Sequence, residues 1–241
     1  MFVGIFLIFL FHTLNPLPMK RIILLVLLFN CFTIFSQEFK FEAPDYKKIE
    51  NTIKDKKSTL YYPKLQLKFE AADSTMTLEE KRHYYYGYTF QKEYAPYFKS
   101  KHSEKLEDFQ KKENLTQKEY EKATELCNLI LSENPFDIRT RNYKSYCLDK
   151  LERKKELENN IIKTNIIFET ILSSGDGVTK ETAFYVINTS NEYALLNALG
   201  FEFGGSQSLI EHYDFLDLKE NEYKIKGFYF DVSPCLNSFK F

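Results

Sequence analysis

The sequence predicts an α+β fold, with a helical N-terminal half, tetratricopeptide-like in its packing, and a small antiparallel β element at the C-terminus. Three observations carry this. Two capping boxes, Thr77-Leu78-Glu79-Glu80 and Thr116-Gln117-Lys118-Glu119, each open a helical segment. Ser173-Ser174-Gly175-Asp176-Gly177 then breaks the chain. Beyond it, Phe228, Phe230 and Val232 alternate with Tyr229 and Asp231, the period of a half-buried strand.

Along the chain, Pro44-Asp45 opens a short helix with Tyr46, Ile49 and Ile53 on one face. Leu65, Leu67 and Phe69 alternate, which leaves that stretch open between helix and strand. The first capping box starts a helix through His83-Tyr84-Tyr85-Tyr86-Gly87-Tyr88. Lys99 to Lys112 is charged and reads as solvated. The second box starts a helix with Tyr120, Ala123, Cys127, Ile130 and Leu131 as its apolar stripe. Asn134-Pro135-Phe136-Asp137 ends that helix and caps the next, which carries Tyr143, Tyr146, Cys147 and Leu151. A polar elbow, Glu152 to Glu156, leads to a third helix through Ile161, Ile162, Ile166, Phe168 and Leu172. About one helix-pair unit is visible, whereas solenoids need several. After the break, Ala183 to Ile187 reads as a strand. Asn191 to Leu199 is a helix stopped by Gly200, and Phe201 to Gly205 is a turn. Tyr213 to Leu218 and Tyr223 to Val232 form a hairpin.

The N-terminus reads as a removable export signal. Lys20-Arg21 is a basic start, Ile22 to Phe35 is nearly all apolar, and Ser36 is a small residue before a cut. As a helix the apolar run spans roughly 21 Å, at about 1.5 Å per residue, short of a comfortable membrane crossing. The natural start is read as Met19. The alternatives are an uncleaved anchor and a membrane hairpin turning at Lys20 and Arg21. Leu28-Phe29-Asn30-Cys31 is a poor lipobox, so lipid anchoring at Cys31 is not expected. The domains are therefore 1–36 signal, 37–174 helical, and 175–241 mixed and packed with the helices. The mature form is expected in the periplasm or outside the cell, with no membrane span.

Composition bounds the function. Lys and Arg number 33 against 34 Asp and Glu, and loss of Lys20 and Arg21 makes the balance slightly more acidic. That gives no electrostatic case for nucleic acid. Beyond the signal lie Cys127, Cys147 and Cys235; Cys127 and Cys147 could pair, or all three could be small buried residues. There is no Trp, but there are 17 Tyr and 23 Phe, which fits either a binding surface or an ordinary core built from these rings.

The chain resembles bacterial envelope proteins grouped as domain of unknown function 4919. The resemblance rests on Gly175-Asp176-Gly177, Glu181 to Ile187, Glu192-Tyr193, Leu196, Leu199-Gly200 and the strand Phe228 to Val232. His83 to Tyr88 and Asn134 to Asp137 resemble the front half of that family. It implies an exported protein and no known activity.

The best candidate for a ligand or partner surface is His83 with Tyr84, Tyr85, Tyr86 and Tyr88. His83 and Tyr86 share one helix face, and Tyr84 and Tyr88 another. Exposed, such aromatics suit a peptide, a carbohydrate or another envelope protein; the alternative is a central helix buried on both sides. Asp176 in its glycine loop lacks the regular run of oxygens a calcium loop needs. Gly204-Gly205-Ser206 has no Lys-Ser/Thr pair after it and reads as a turn. Glu211, His212 and Asp214 lie together but at a strand edge. No nucleophile–base pair is legible, so no cofactor, metal or catalytic residue is assigned. The expected function is a non-enzymatic envelope protein that binds a partner. The second hypothesis is an enzyme, possibly a hydrolase, with its site between the helices and the β element. Convergence of His83, Glu192 and Asp176 in a cleft would favour the enzyme.

Overall fold

The computed structural model describes residues 41–238. The export signal and Cys31 lie outside the described residues. Helix α1 (Tyr46–Lys54) is capped by Asp45, whose carboxylate accepts from Lys48 N at 2.9 Å, and buries Ile49 and Ile53. The alternating Leu65/Leu67/Phe69 stretch is helical, in α2 (Tyr62–Glu70), which starts with Pro63 in its first turn. The reason lies in the spacing: Leu65 and Phe69, four apart, are buried, while Leu67 is 67% exposed. A strand would place all three on one face. Helix α3 (Leu78–Gly87) begins with a complete capping box. Glu80 N donates to Thr77 Oγ1 at 3.2 Å, and Thr77 N to Glu80 Oε2 at 2.9 Å. A 3₁₀ turn, Tyr88–Phe90, extends it.

The charged stretch after Lys99 is not fully solvated. It contains α4 (Ser103–Gln110), which buries Leu106. Helices α5 (Gln117–Glu133), α6 (Ile138–Lys150) and α7 (Lys154–Leu172) follow, each packed on the next. Leu106 joins Ala123, Leu126, Cys127, Ile130 and Cys147 in a small apolar cluster. Cys127, Cys147 and Cys235 are free thiols, all buried. Burial pushes Cys127 and Cys235 up to about 12 and Cys147 to about 11, so none is a ready nucleophile.

Strand β1 (Phe184–Tyr185), helix α8 (Ser190–Ala198), strands β2 (Phe203–Ile210), β3 (Tyr213–Leu218) and β4 (Gly227–Asp231), and a short helix α9 (Ser233–Asn237) complete the described chain. The sheet order is β1-β4-β3-β2. The expected hairpin is β3–β4, antiparallel with Leu216 opposite Phe228 and Asp214 opposite Phe230. The sheet as a whole is mixed rather than antiparallel, because β1 pairs with β4 in parallel. Gly204-Gly205-Ser206 is not a turn: it lies inside β2, where the register shifts between Phe203 and Gln207. Glycines in a strand commonly mark such a bulge.

Helices and sheet share one core. Ile53, Leu65, Phe69, Tyr85 and Ile171 from the helices belong to the same cluster as Phe184, Leu195, Leu216 and Phe230. Gly177 (φ 72°) closes the loop after α7 over this core, where an added Cβ would come within 2.4 Å of the Phe184 ring. Gly200 is the simpler case: φ is 80° and nothing lies within 4 Å of where a Cβ would be. Gly200→Ala therefore carries only the left-handed backbone penalty, and urea unfolding should show a loss of about 1 kcal/mol. A loss above about 3 kcal/mol would mean that the helix end is packed more tightly than this geometry allows. Among the described residues no helix is long and apolar enough to cross a membrane.

Candidate functional site: a polar cleft and a buried carboxyl pair

The aromatic helix face expected as a ligand surface lies in the interior. Tyr85 and Tyr86 are 0% exposed, and His83, Tyr84 and Tyr88 are also buried. This corrects the surface reading. Helix α3 packs against α1, α2 and α7, so aromatics on every face find a core to enter. The tyrosine hydroxyls end on backbone oxygens or donors, which is what allows them inside. Tyr88 donates to the carbonyls of Glu93 (3.3 Å) and Glu133 (3.4 Å), and Tyr94 to that of Ile187 (2.9 Å). Tyr85 accepts from Ile187 N (3.3 Å) and Asn191 Nδ2 (3.1 Å). His83 Nδ1 lies 2.9 Å from the Glu79 carbonyl, which fits a proton on that nitrogen.

His83, Glu192 and Asp176 have separate partners. Asp176 Oδ1 accepts from Val178 N (3.0 Å) and Thr182 Oγ1 (2.6 Å), which makes its loop a closed turn. Glu211, His212 and Asp214 are also dispersed. Glu211 and His212 form the connection from β2 to β3, and His212 Nε2 faces Asp231 Oδ2 at 3.4 Å. Among the described residues no group of three His, Cys, Asp or Glu could hold a metal ion.

Asp214 instead takes part in a buried carboxyl pair with Glu192. It shares a face of the sheet with Leu216, opposite Phe230, and that face is buried. Glu192, in the first turn of α8, is 0% exposed. Burial first, then the negative charge of Asp214, raise the Glu192 carboxyl to about 9. Burial also raises Asp214. Two carboxyls in contact cannot both ionise cheaply. Glu192 is the member held protonated, and both of its carboxyl oxygens are buried without a hydrogen-bond partner among the described residues. Gln207 Nε2 donates to Asp214 Oδ2 at 2.9 Å, and Tyr193 donates to Gln207 Oε1 at 2.5 Å. The chain of bonds thus runs outward through Gln207 to half-exposed Tyr193. Sequence reading missed this pair. Glu192 looks like an ordinary helix-start acid, and only the alternation Asp214/Leu216 hinted that Asp214 faces the core.

A polar cleft open to solvent lies elsewhere among the described residues. Its volume is about 320 Å³, and it opens between the 96–100 loop, the start of α4, the α5–α6 elbow and the start of α8. The elbow follows from its sequence. Asn134 Oδ1 accepts from Phe136 N, and Asp137 caps α6 through Thr140 N (3.0 Å) and Thr140 Oγ1 (2.7 Å). Phe136 is thereby driven into the core at 0% exposure, while Asn134, Asp137 and Arg139 line the cleft. Lys99, Glu133 and Asn188 add charges of both signs and an amide. Tyr97 and Phe98, on the 96–100 loop, remain 48% and 56% exposed. One carboxylate oxygen of Glu133 is buried with no hydrogen-bond donor among the described residues. This arrangement can hydrogen-bond a neutral or zwitterionic ligand and pack an aromatic ring against it.

No curated protein and no solved structure matches the chain. The family described as Domain of unknown function (DUF4919) matches residues 47–240, a span that includes the cleft, the carboxyl pair and the whole sheet. The chain belongs to the DUF4919 family.

Proposed function

We propose that this is an exported, non-enzymatic binding protein of the bacterial envelope, and that it takes a polar ligand or a peptide segment of a partner in the cleft beside Tyr97 and Phe98. One contrast carries the reading. The open cleft offers mixed donors, acceptors and aromatic rings. The carboxyls of Glu192, raised to about 9, and Asp214, raised in the same direction, are buried. Catalysis needs such groups within reach of a reacting atom; binding needs only the cleft. Export rests on the basic start, apolar run and Ser36 at the N-terminus. The run α5–α6–α7, each helix packed on the next, supports a tetratricopeptide-like middle.

The second reading, an enzyme with its site between helix and sheet, is favoured by one observation. Glu192 on α8 and Asp214 on β3 form a carboxyl pair of split proton affinity at that boundary. Its burial weighs against it.

The test is recovery of tagged protein from its native envelope, with mass spectrometry of everything retained. The reading expects a mature N-terminus at Gln37 and a reproducible ligand or partner. A double variant, Phe98→Ala with Arg139→Ala, should lose that companion while keeping its fold, since both side chains lie on the cleft rim. The same companion on the double variant, or none on the wild type, would overturn the cleft assignment.

A further inference from the structure

Helices α1 and α3 pack together, and where both begin they border a cavity of about 240 Å³. It shares no lining residue with the polar cleft. Ile49 and Leu78 give its wall an apolar patch, and Leu78 stays 43% exposed. His83 lines the same cavity and is only 5% exposed. Its ring is half satisfied. Nδ1 lies 2.9 Å from the Glu79 carbonyl, one helical turn back, while Nε2 is buried with no hydrogen-bond partner among the described residues. With the proton on Nδ1, Nε2 carries a lone pair and can only accept. A buried polar atom left without a partner is rare and destabilising, which points to a donor that the described chain does not supply.

The remaining polar groups of the wall are mostly acceptors too. The carboxylates of Glu42 and Glu79 make no hydrogen bond or ion pair among the described residues. Asp45 accepts from Lys48 N through Oδ1 (2.9 Å) and keeps Oδ2. Arg82 is turned to other partners, giving Nη1 to Ser173 Oγ (2.6 Å) and Nη2 to the Glu42 carbonyl (2.7 Å). The starts of the two helices would otherwise favour an anion. They are met by their own caps, Asp45 on α1 and Thr77 with Glu80 on α3. Lys48 is exposed and makes no ion pair among the described residues. By formal charge, the acids Glu42, Asp45 and Glu79 outweigh the cations Lys48 and Arg82.

We propose that this cavity binds a small primary ammonium ion. An ammonium group has three donors and no acceptor. His83 Nε2 and the carboxylates of Glu42 and Glu79 are the acceptors that receive them. The positive charge meets the acidic balance of the wall, and a short apolar tail covers Ile49 and Leu78. Lys48 carries the same head group on the same wall and competes with the ligand.

The experiment titrates the mature, isotope-labelled chain with butylamine at neutral pH and low salt, and follows the nitrogen and amide resonances by NMR. Butanol and butyrate carry the same tail with a neutral or negative head. Tetramethylammonium carries the charge with no N–H. The expected result is saturable shifts for butylamine over residues 42–49 and 78–83, including the His83 Nε2 resonance, with the other three probes at least about tenfold weaker. Glu42→Gln with Glu79→Gln should weaken butylamine at least about tenfold. Both positions are exposed, so the double variant should keep its fold, which thermal melting checks. Lys48→Ala removes the competitor and should bind at least as well as the wild type. His83→Phe keeps the bulk, loses the lone pair and should bind at least about tenfold more weakly. If that variant does not fold, the Nε2 resonance of the wild type decides the role of His83. No saturable binding, equal binding of tetramethylammonium, an unmoved Nε2 resonance, or unchanged binding in the folded Glu42/Glu79 double variant would overturn the proposal.

Discussion

Phe136→Ala should cost about 3–5 kcal/mol of stability, the range for removing a fully buried ring whose site cannot collapse. Phe136 is 0% exposed, and its ring lies within 5.0–5.8 Å, centre to centre, of Tyr88, Tyr84, Tyr85 and Phe69. Those rings come from α2, α3 and the turn after it, so one side chain from the α5–α6 elbow joins two parts of the helical half. Tyr85 and Tyr88 cannot shift to fill the gap, because their hydroxyls are committed. Tyr85 holds Ile187 N and Asn191, and Tyr88 is bonded to Glu93 and Glu133. Phe136→Leu, which keeps most of the volume, should cost clearly less. Urea unfolding of both variants is the measurement. A loss for alanine below about 1 kcal/mol would mean that this aromatic cluster is not the organising core. The cleft should suffer with it, since the same elbow carries Asn134 and Asp137.

Glu192→Gln should flatten the dependence of stability on pH. The direction follows from linkage. Glu192 has a folded value of about 9 against an ordinary 4.5. Between those values the folded state holds a proton that the unfolded state has released. The stabilisation is therefore fully present below about pH 4.5 and is lost as pH rises toward and through 9. One proton corresponds to about 1.4 kcal/mol per pH unit, so the wild type should lose up to roughly 4 kcal/mol between pH 5 and pH 8 from this group. Asp214, raised by burial, acts in the same direction at the acid end. Glutamine keeps the shape and neutrality of protonated Glu192 at any pH and carries no proton to lose. The variant should match the wild type near pH 5 and exceed it by several kcal/mol at pH 8. Parallel unfolding curves at the two pH values would show that Glu192 is not protonated in the fold.

Legibility differed by feature, for physical reasons. The two capping boxes were legible because a cap is a local bargain between residues three apart, and both formed. The glycine stop at Gly200 is local in the same way. The Leu65/Leu67/Phe69 stretch was not settled by its own pattern; the packing of α2 on α3 settled it, by needing residues 65 and 69 on one side. Strand β2 was hidden by its two glycines, which mark a turn in isolation and a bulge when β3 lies alongside.

The functional readings divide along the same line. By itself the sequence determined an α+β chain, its family resemblance, the helix starts and stops, and the β3–β4 hairpin, because each depends on neighbours in the chain. Tertiary structure alone decided that the Tyr84–Tyr86 run is core, since exposure depends on what packs above a helix. It also decided that Glu192 meets Asp214, and that Arg141 on α6 is bonded to Asn160 on α7. Those pairings cross between helix and strand or between successive helices. A charge reports its environment only when the distant residues that exclude water from it are in place.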